Sequence, residues 1–331
     1  MPSPTAGRPN VVIPQYLHEP GLSMAREIAE VVYWPEDSPM PRARLLEAVA
    51  GADGILSHPA SRFDRELLDQ APRLKVVSNI AVGYDNVDVA ACTERGIAVC
   101  NTPGVLVDST ADATFALLLA VARHVVAADH FTRSGQWKYW TPTLLVGADL
   151  AGSTLGIVGL GQIGLEVARR AKGFRMRILY HNRRRRPEVE AELGASYVDL
   201  ATLLAESDYV SLHVPANGET RNLIGATELA RMKPTAYLIN VARGAVVDQA
   251  ALTQALQERR IAGAGLDVFN PEPIAPTDPL LALDNVVLMP HIGAASLQTR
   301  RRMAELAARN LIAVLNGERP PACVNPAVLN Q

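Results

Sequence analysis

Gly159-Leu160-Gly161-Gln162-Ile163-Gly164 sets three glycines where a backbone would have to come close to phosphate. The run follows an apolar segment, residues 155–158, that reads as a buried strand, and it precedes a helix in which Ile163, Val167 and Ala171 share one face. In that order the first glycine permits a tight turn, the second lets the backbone approach a pyrophosphate, and the third lets helix and strand pack closely. The N–H groups at the helix start then face the anion. The residues read as a dinucleotide site. The plainer alternative is a glycine-rich turn that holds no ligand.

The next strand, predicted at 176–180, speaks to which dinucleotide. Folds that bind NAD usually carry Asp or Glu about 20 residues past the glycines, where it bonds the ribose 2′-hydroxyl. Here the strand runs into His181-Asn182-Arg183-Arg184-Arg185-Arg186, with no carboxylate at its tip. A 2′-phosphate would repel a carboxylate and attract guanidinium groups, which bond it in pairs. NADPH is therefore the expected coenzyme and NADH a possible one. Asn182, Arg183 and Arg184 are the expected contacts, and Arg185 and Arg186 are expected to face solvent. The alternative is a solvated arginine run in a surface loop.

A reductase of oxo acids needs a cation for the carboxylate and a proton donor for the carbonyl oxygen. Arg243 follows a strand predicted at 236–240, and His291 follows one predicted at 286–288. Parallel α/β sheets place ligands at such strand ends. A permanently charged fork suits a planar carboxylate, and an imidazole can give and recover a proton near neutrality. Glu272, in Asn270-Pro271-Glu272-Pro273, could bond that imidazole, favour its protonated form and fix its tautomer. Asp267 could bond a nicotinamide amide or equally cap a turn. Each residue also has a plain reading: a surface arginine, a structural histidine, an exposed loop glutamate.

These side chains need elements to position them. At 331 residues the chain has room for two domains, and 48% apolar with 20% charged residues is ordinary for a globular protein. A net charge of -2 disfavours nucleic acid as a partner. Cys92, Cys100 and Cys323 are few, scattered and without metal-ligand spacing, which points to a reducing compartment, the cytoplasm, with no metal. The start of the chain is proline-rich and polar rather than signal-like, and the apolar run at 113–122 is too short to span a bilayer. Strands are predicted at 11–13, 31–33, 54–57, 74–78 and 97–99, with helices between them, then a long helix over 109–124 that Ser109 and Asp112 would cap. A second series has strands at 209–212, 236–240, 263–267 and 286–288 and closes on a helix over 296–315. Alternating strands and helices make both halves α/β with parallel sheets. Periodicity alone does not say which half the last helix joins.

Taken together, Val82-Gly83-Tyr84-Asp85-Asn86-Val87-Asp88, Asn101-Thr102-Pro103-Gly104, Thr110-Ala111-Asp112, the glycine run, Ala242-Arg243-Gly244, Gly265-Leu266-Asp267-Val268-Phe269, Pro271-Glu272-Pro273 and Pro290-His291-Ile292-Gly293 resemble the D-isomer-specific 2-hydroxyacid dehydrogenases. Residues 135–142 and 179–183 resemble the glyoxylate/hydroxypyruvate reductase branch. The resemblance implies two doubly wound α/β domains, a Rossmann coenzyme domain (105–291) inserted in a flavodoxin-like substrate domain (1–104 and 292–331), with a dimerisation arm near 123–150. It implies a catalytic trio of Arg243, Glu272 and His291. Substrate would meet Leu56, Ser57, the Val82 and Gly83 amides, Arg243, His291 and a partner's residue matching Trp140. Coenzyme would meet Thr110, Gly159 to Gly164 (with Leu160, Gly161, Gln162 and Ile163), Asn182, Arg183, Arg184, His213, Val214, Pro215, Thr220, Val241, Ala242, Asp267, His291 and Gly293. The implied activity is NADPH-dependent reduction of glyoxylate and hydroxypyruvate to D-2-hydroxy acids by a homodimer. Asp112 departs from the family's usual Glu; both would cap a helix. Other readings are a 2-ketogluconate or similar sugar-acid reductase, a phosphite oxidase (disfavoured by Val82, where that relative has lysine) and an NAD(H)-sensing corepressor or scaffold.

Overall fold

Val11, Val12 and Ile13 have no exposed face, which is the mark of a strand covered on both sides in a parallel sheet. The computed structural model describes residues 7–330, and the chain divides into two compact units, 1–106 with 295–331, and 107–294. Both are built on parallel strands with helices between them.

The first unit holds β1 (Asn10–Ile13), β2 (Glu30–Tyr33), β3 (Gly54–Ser57), β4 (Val76–Asn79) and β5 (Ala98–Cys100), ordered β2-β1-β3-β4-β5. Register pairs Val12 with Val32 on one side and with Ile55 on the other. One face of the sheet packs Val12, Ile55, Val77 and Val99 with Leu45, Val49, Phe63, Leu67 and Leu68. The last helix, Leu297–Leu315, joins this unit. A Cβ on Gly21 would stand 2.8 Å from the Ala304 carbonyl oxygen, so that helix and Gly21–Ile28 approach backbone to backbone. Ser78 donates to the Ala307 carbonyl at 2.8 Å, fixing the helix on β4.

The second unit holds β6 (Thr154–Val158), β7 (Arg177–His181), β8 (Ser196–Tyr197), β9 (Tyr209–Leu212), β10 (Tyr237–Asn240), β11 (Gly263–Leu266) and β12 (Val286–Leu288), ordered β12-β11-β10-β9-β6-β7-β8. The order reverses at β6, which lies between β7 and β9. Helix Val107–Ala122 lies on β10 and β11, and Gly263 and Gly265 leave room there for Val121 and Leu117.

The capping-box expectation is corrected. The helix begins at Val107, so Ser109 and Asp112 lie inside it. Ser109 Oγ donates to the Gly293 carbonyl, and Asp112 accepts from Arg170 Nε at 2.7 Å. Ser109 reads as a cap because Ser usually marks helix starts, but the chain has already turned helical two residues earlier. Helices Val125–Arg133, Pro187–Leu193, Leu200–Glu206, Ala226–Leu229 and Gln249–Gln257, and strand β8, lie outside the elements expected from sequence. Both β8 residues are exposed, so no burial pattern marks that strand. No single helix among the described residues is long and apolar enough to cross a membrane.

Candidate active site

The three glycines behave differently. Gly159 has φ +97°, in the left-handed region, and a Cβ there would lie 2.7 Å from the His213 carbonyl oxygen. A Cβ on Gly164 would lie 2.2 Å from the Gly159 carbonyl oxygen, so helix Gln162–Gly173 can pack on β6 only without a side chain. A Cβ on Gly161 would meet nothing within 4 Å. The protein's own packing thus explains the first and third glycines and leaves the second open, at the head of a helix. That fits a group whose phosphates need the backbone bare. When bound, a nicotinamide dinucleotide supplies or accepts hydride. Gly159 to Gly164 would hold its pyrophosphate. His213, on the loop after β9, bonds Ser211 Oγ through Nε2 at 2.8 Å, and burial pushes its pKa down to about 3, so it stands neutral beside the turn.

The trio is assembled by three strand ends of the second unit. After β10, buried Asn240 donates to the Arg243 carbonyl at 3.0 Å and accepts from the Ala242 amide at 3.0 Å, shaping the loop that carries Arg243. A Cβ on Gly244 would stand 1.9 Å from the Phe269 carbonyl oxygen, so only glycine lets this loop press against the one after β11. There Glu272 Oε1 accepts from the Phe269 amide at 2.8 Å, and Oε2 lies 2.8 Å from His291 Nδ1. Burial would push the Glu272 carboxyl up, but the His291 bond, the Phe269 amide and the charges of His291 and Arg243 together hold it below its ordinary value. With Nδ1 turned to Glu272, Nε2 is the ring nitrogen left to meet a substrate oxygen.

His291 sits at φ +55°, a conformation uncommon outside glycine. Asp267 holds it there. Its backbone carbonyl accepts from the His291 amide at 2.9 Å, and its carboxylate takes the Ile292 and Gly293 amides at 2.7 Å each. The residue is 1% exposed, and burial raises its pKa, offset in part by the two amides and the His291 charge. The carboxylate thus caps the turn, one of the two roles offered by the sequence.

Residues 115–293 match the family described as D-isomer specific 2-hydroxyacid dehydrogenase, NAD binding domain. The chain is 53% identical to a glyoxylate reductase of Thermococcus litoralis over 326 residues, 97% of this chain and 98% of that one. It belongs to the D-isomer-specific 2-hydroxyacid dehydrogenases. Among solved structures it resembles a protein of Thermus thermophilus (48% identity, TM-score 0.90, covering 95% of this chain and 99% of that one). It also resembles an NADPH-dependent glyoxylate/hydroxypyruvate reductase of Sinorhizobium meliloti solved with NADP and malonate (35%, TM-score 0.83, 96% and 97%).

As a member of that family the protein is an NAD(P)-dependent dehydrogenase. The remaining expected residues fall into place unevenly. Thr110, Asp267 and Gly293 converge: a Cβ on Gly293 would lie 2.9 Å from Asp267 Oδ2 and 3.6 Å from Thr110 Cγ2. Val241 is buried and Ala242 partly exposed on the loop after β10. Val214 and Pro215 follow His213 on the loop after β9, and Thr220 Oγ1 donates to the Pro215 carbonyl, tying that loop to itself. Asn182 donates to the Arg184 carbonyl at 3.1 Å, and Arg183 is 82% exposed with a 3.4 Å contact to Glu219.

Arg185 faces solvent as expected, and Arg186 does not. Arg185 is exposed but forms a two-pronged pair with Glu190 at 2.8 and 2.7 Å. Arg186 donates to Glu188 and also reaches the Leu160 carbonyl at 3.0 Å, inside the glycine turn itself. Its position in a run of like residues hides that contact in the sequence. Asn240 is a further site residue that sequence reasoning missed; its only signal is a polar residue at the end of an apolar strand.

In the first unit, Leu56 and Ser57 are fully buried, and Ser57 Oγ donates to Asn79 Oδ1 at 2.8 Å. The Val82 and Gly83 carbonyls are taken by Asn101 Nδ2 at 2.9 Å and Asn79 Nδ2 at 2.7 Å, which fixes both peptide planes. Trp140 is 79% exposed on the segment after helix Val125–Arg133.

Proposed function

We propose that this dehydrogenase reduces small 2-oxo acids, glyoxylate and hydroxypyruvate, to D-2-hydroxy acids, with NADPH as its preferred coenzyme. The observation that carries the reading is the 2.8 Å pair of His291 Nδ1 with Glu272, beside the charge of Arg243. Arg243 binds the substrate carboxylate. His291 Nε2 donates its proton to the carbonyl oxygen as negative charge develops there. Glu272, ionised and anchored to the Phe269 amide, stabilises the imidazolium beforehand and orients the ring. Asp267 fixes the peptide that carries it. Arg183 and Arg184, at a strand tip without a carboxylate, favour a 2′-phosphate over a 2′-hydroxyl.

The active form is a homodimer. Its support is helix Val125–Arg133, which has no buried residue, together with exposed Val125, Val126, Trp137, Tyr139, Trp140 and Val146 nearby in the chain. Contiguous apolar exposure of this kind marks an interaction surface. Three free cysteines suit the cytoplasm.

Initial rates with NADPH and NADH on glyoxylate, hydroxypyruvate, pyruvate and 2-ketogluconate test the reading. Fast NADPH oxidation on the first two supports it. Preference for 2-ketogluconate would replace the substrate, and preference for NADH would remove the role given to the arginines.

A further inference from the structure

The sheet of the first unit also reverses its strand order, between β1 and β3. Parallel sheets bind ligands outside the carboxyl ends of their strands at such a reversal. The loops that leave those two strands carry Gln15, Tyr16 and His18 after β1, and His58 and Ser61 after β3. His58 bonds the backbone of Tyr16, tying the two loops together, and the His18 ring stands edge-on to Tyr16 with centroids 5.1 Å apart.

Cations gather there. Arg300 and Arg301 lie in the first turns of helix Leu297–Leu315, whose N-cap is Ser296. Burial, joined by the charges of Arg300 and His18 and opposed by the bond to Tyr16, brings the His58 pKa down to about 4. His18 is lowered by burial, Arg300 and Arg301, and raised only by Asp37. Both imidazoles are thus held neutral beside guanidinium groups. Gln15 Oε1, His58 Nε2 and Ser61 Oγ are closed to solvent and meet no hydrogen-bond partner among the described residues. Enclosed polar atoms normally have partners, so three in two adjoining loops call for an explanation.

We infer that His18, His58, Arg300 and Arg301 form a binding site for a compact oxyanion, a carboxylate or a phosphate. Such a ligand would face two guanidinium groups and the head of a helix, and would accept from His58 Nε2 and Ser61 Oγ. Its charge offsets those of the arginines and raises the pKa of both histidines, so protons are taken up as it binds and binding strengthens as pH falls. The oxyanion is a free anion, bound whether or not the protein reduces 2-oxo acids.

The test is a titration of the full-length protein with inorganic phosphate at pH 6, followed by the imidazole C2–H proton signals. Saturable shifts of the His18 and His58 signals are expected, with both titrating at higher pH when phosphate is bound. Arg301 is exposed, so Arg301→Gln should fold normally and weaken phosphate about tenfold, the worth of one charge-assisted bond. His58→Gln should remove most of the pH dependence. Shifts that do not saturate, or equal affinity in the wild type and Arg301→Gln, overturn the site whether or not the enzyme reduces glyoxylate.

Discussion

Each unit has one reversal of strand order, and the two are furnished in opposite ways. At β6 the second unit offers bare backbone, with glycines at the turn and a helix head behind them. Between β1 and β3 the first unit offers side chains: histidines, a serine and a glutamine amide, with arginines on the helix above. The first arrangement suits an extended ligand that must lie along the main chain. The second suits a small charged group met by side-chain tips. The same sheet geometry therefore does not dictate the ligand; what lines the strand ends does.

The largest effect expected is on chemistry in the second unit. His291→Ala should lower kcat by about 10²–10⁴-fold, the usual range for losing a general acid, with NADPH affinity kept. Stopped-flow turnover together with coenzyme fluorescence titration checks this, and an unchanged kcat would remove His291 from the mechanism.

The glycine turn offers a sharper contrast. Gly161→Val should leave thermal stability nearly intact, because nothing lies within 4 Å of the new Cβ, yet weaken coenzyme by about 100-fold or more through lost backbone approach. Gly164→Ala should do the reverse and cost about 1–3 kcal/mol of stability, since its Cβ would strike the Gly159 carbonyl. Paired melting and binding curves decide. If both variants lose stability alike, the turn is structural.

Next in size is coenzyme choice. Arg183→Ala with Arg184→Ala should weaken NADPH about 10–100-fold relative to NADH, the loss of one or two charge-assisted bonds. An equal loss for both coenzymes would show that the arginines only shape the loop.

The smallest effect is a pH slope. Glu272 has a folded pKa below its unfolded one, so the unfolded chain binds more protons in acid. Its contribution to stability is present above the ordinary glutamate value of about 4.3 and fades as pH falls through the lower folded value. Denaturant unfolding of the wild type and Glu272→Gln between pH 3 and 6 should show that slope in the wild type alone.

The glycine turn was legible in the sequence because φ and close approach are written into a residue type. Gly159 and Gly164 can be no other residue, and Gly161 stands where only a ligand requires it. Arg243, Glu272 and His291 were legible as candidates, since each follows a strand, but their convergence was not. It depends on Gly244 meeting Phe269 and on Asn240 and Asp267 gripping loop amides, contacts between residues distant in the chain. Arg186 escaped for the same reason: four identical residues carry no sign of which one folds back on Leu160. The long buried strands were read to within a residue or two. Helix Val125–Arg133 and β8 were not, because neither buries a residue and so neither carries a burial period.

One consequence concerns order in time. The first unit is discontinuous: its chain stops at 106 and resumes at 295. Gly21 needs Ala304, and Ser78 needs Ala307, so half the sheet's cover is synthesised last. During translation the first 106 residues must wait, with an apolar face open, while the continuous second unit folds ahead of them. A released fragment of residues 107–294 should fold alone, whereas 1–106 should aggregate. Joining 295–331 directly behind 106 through a short linker should rescue it.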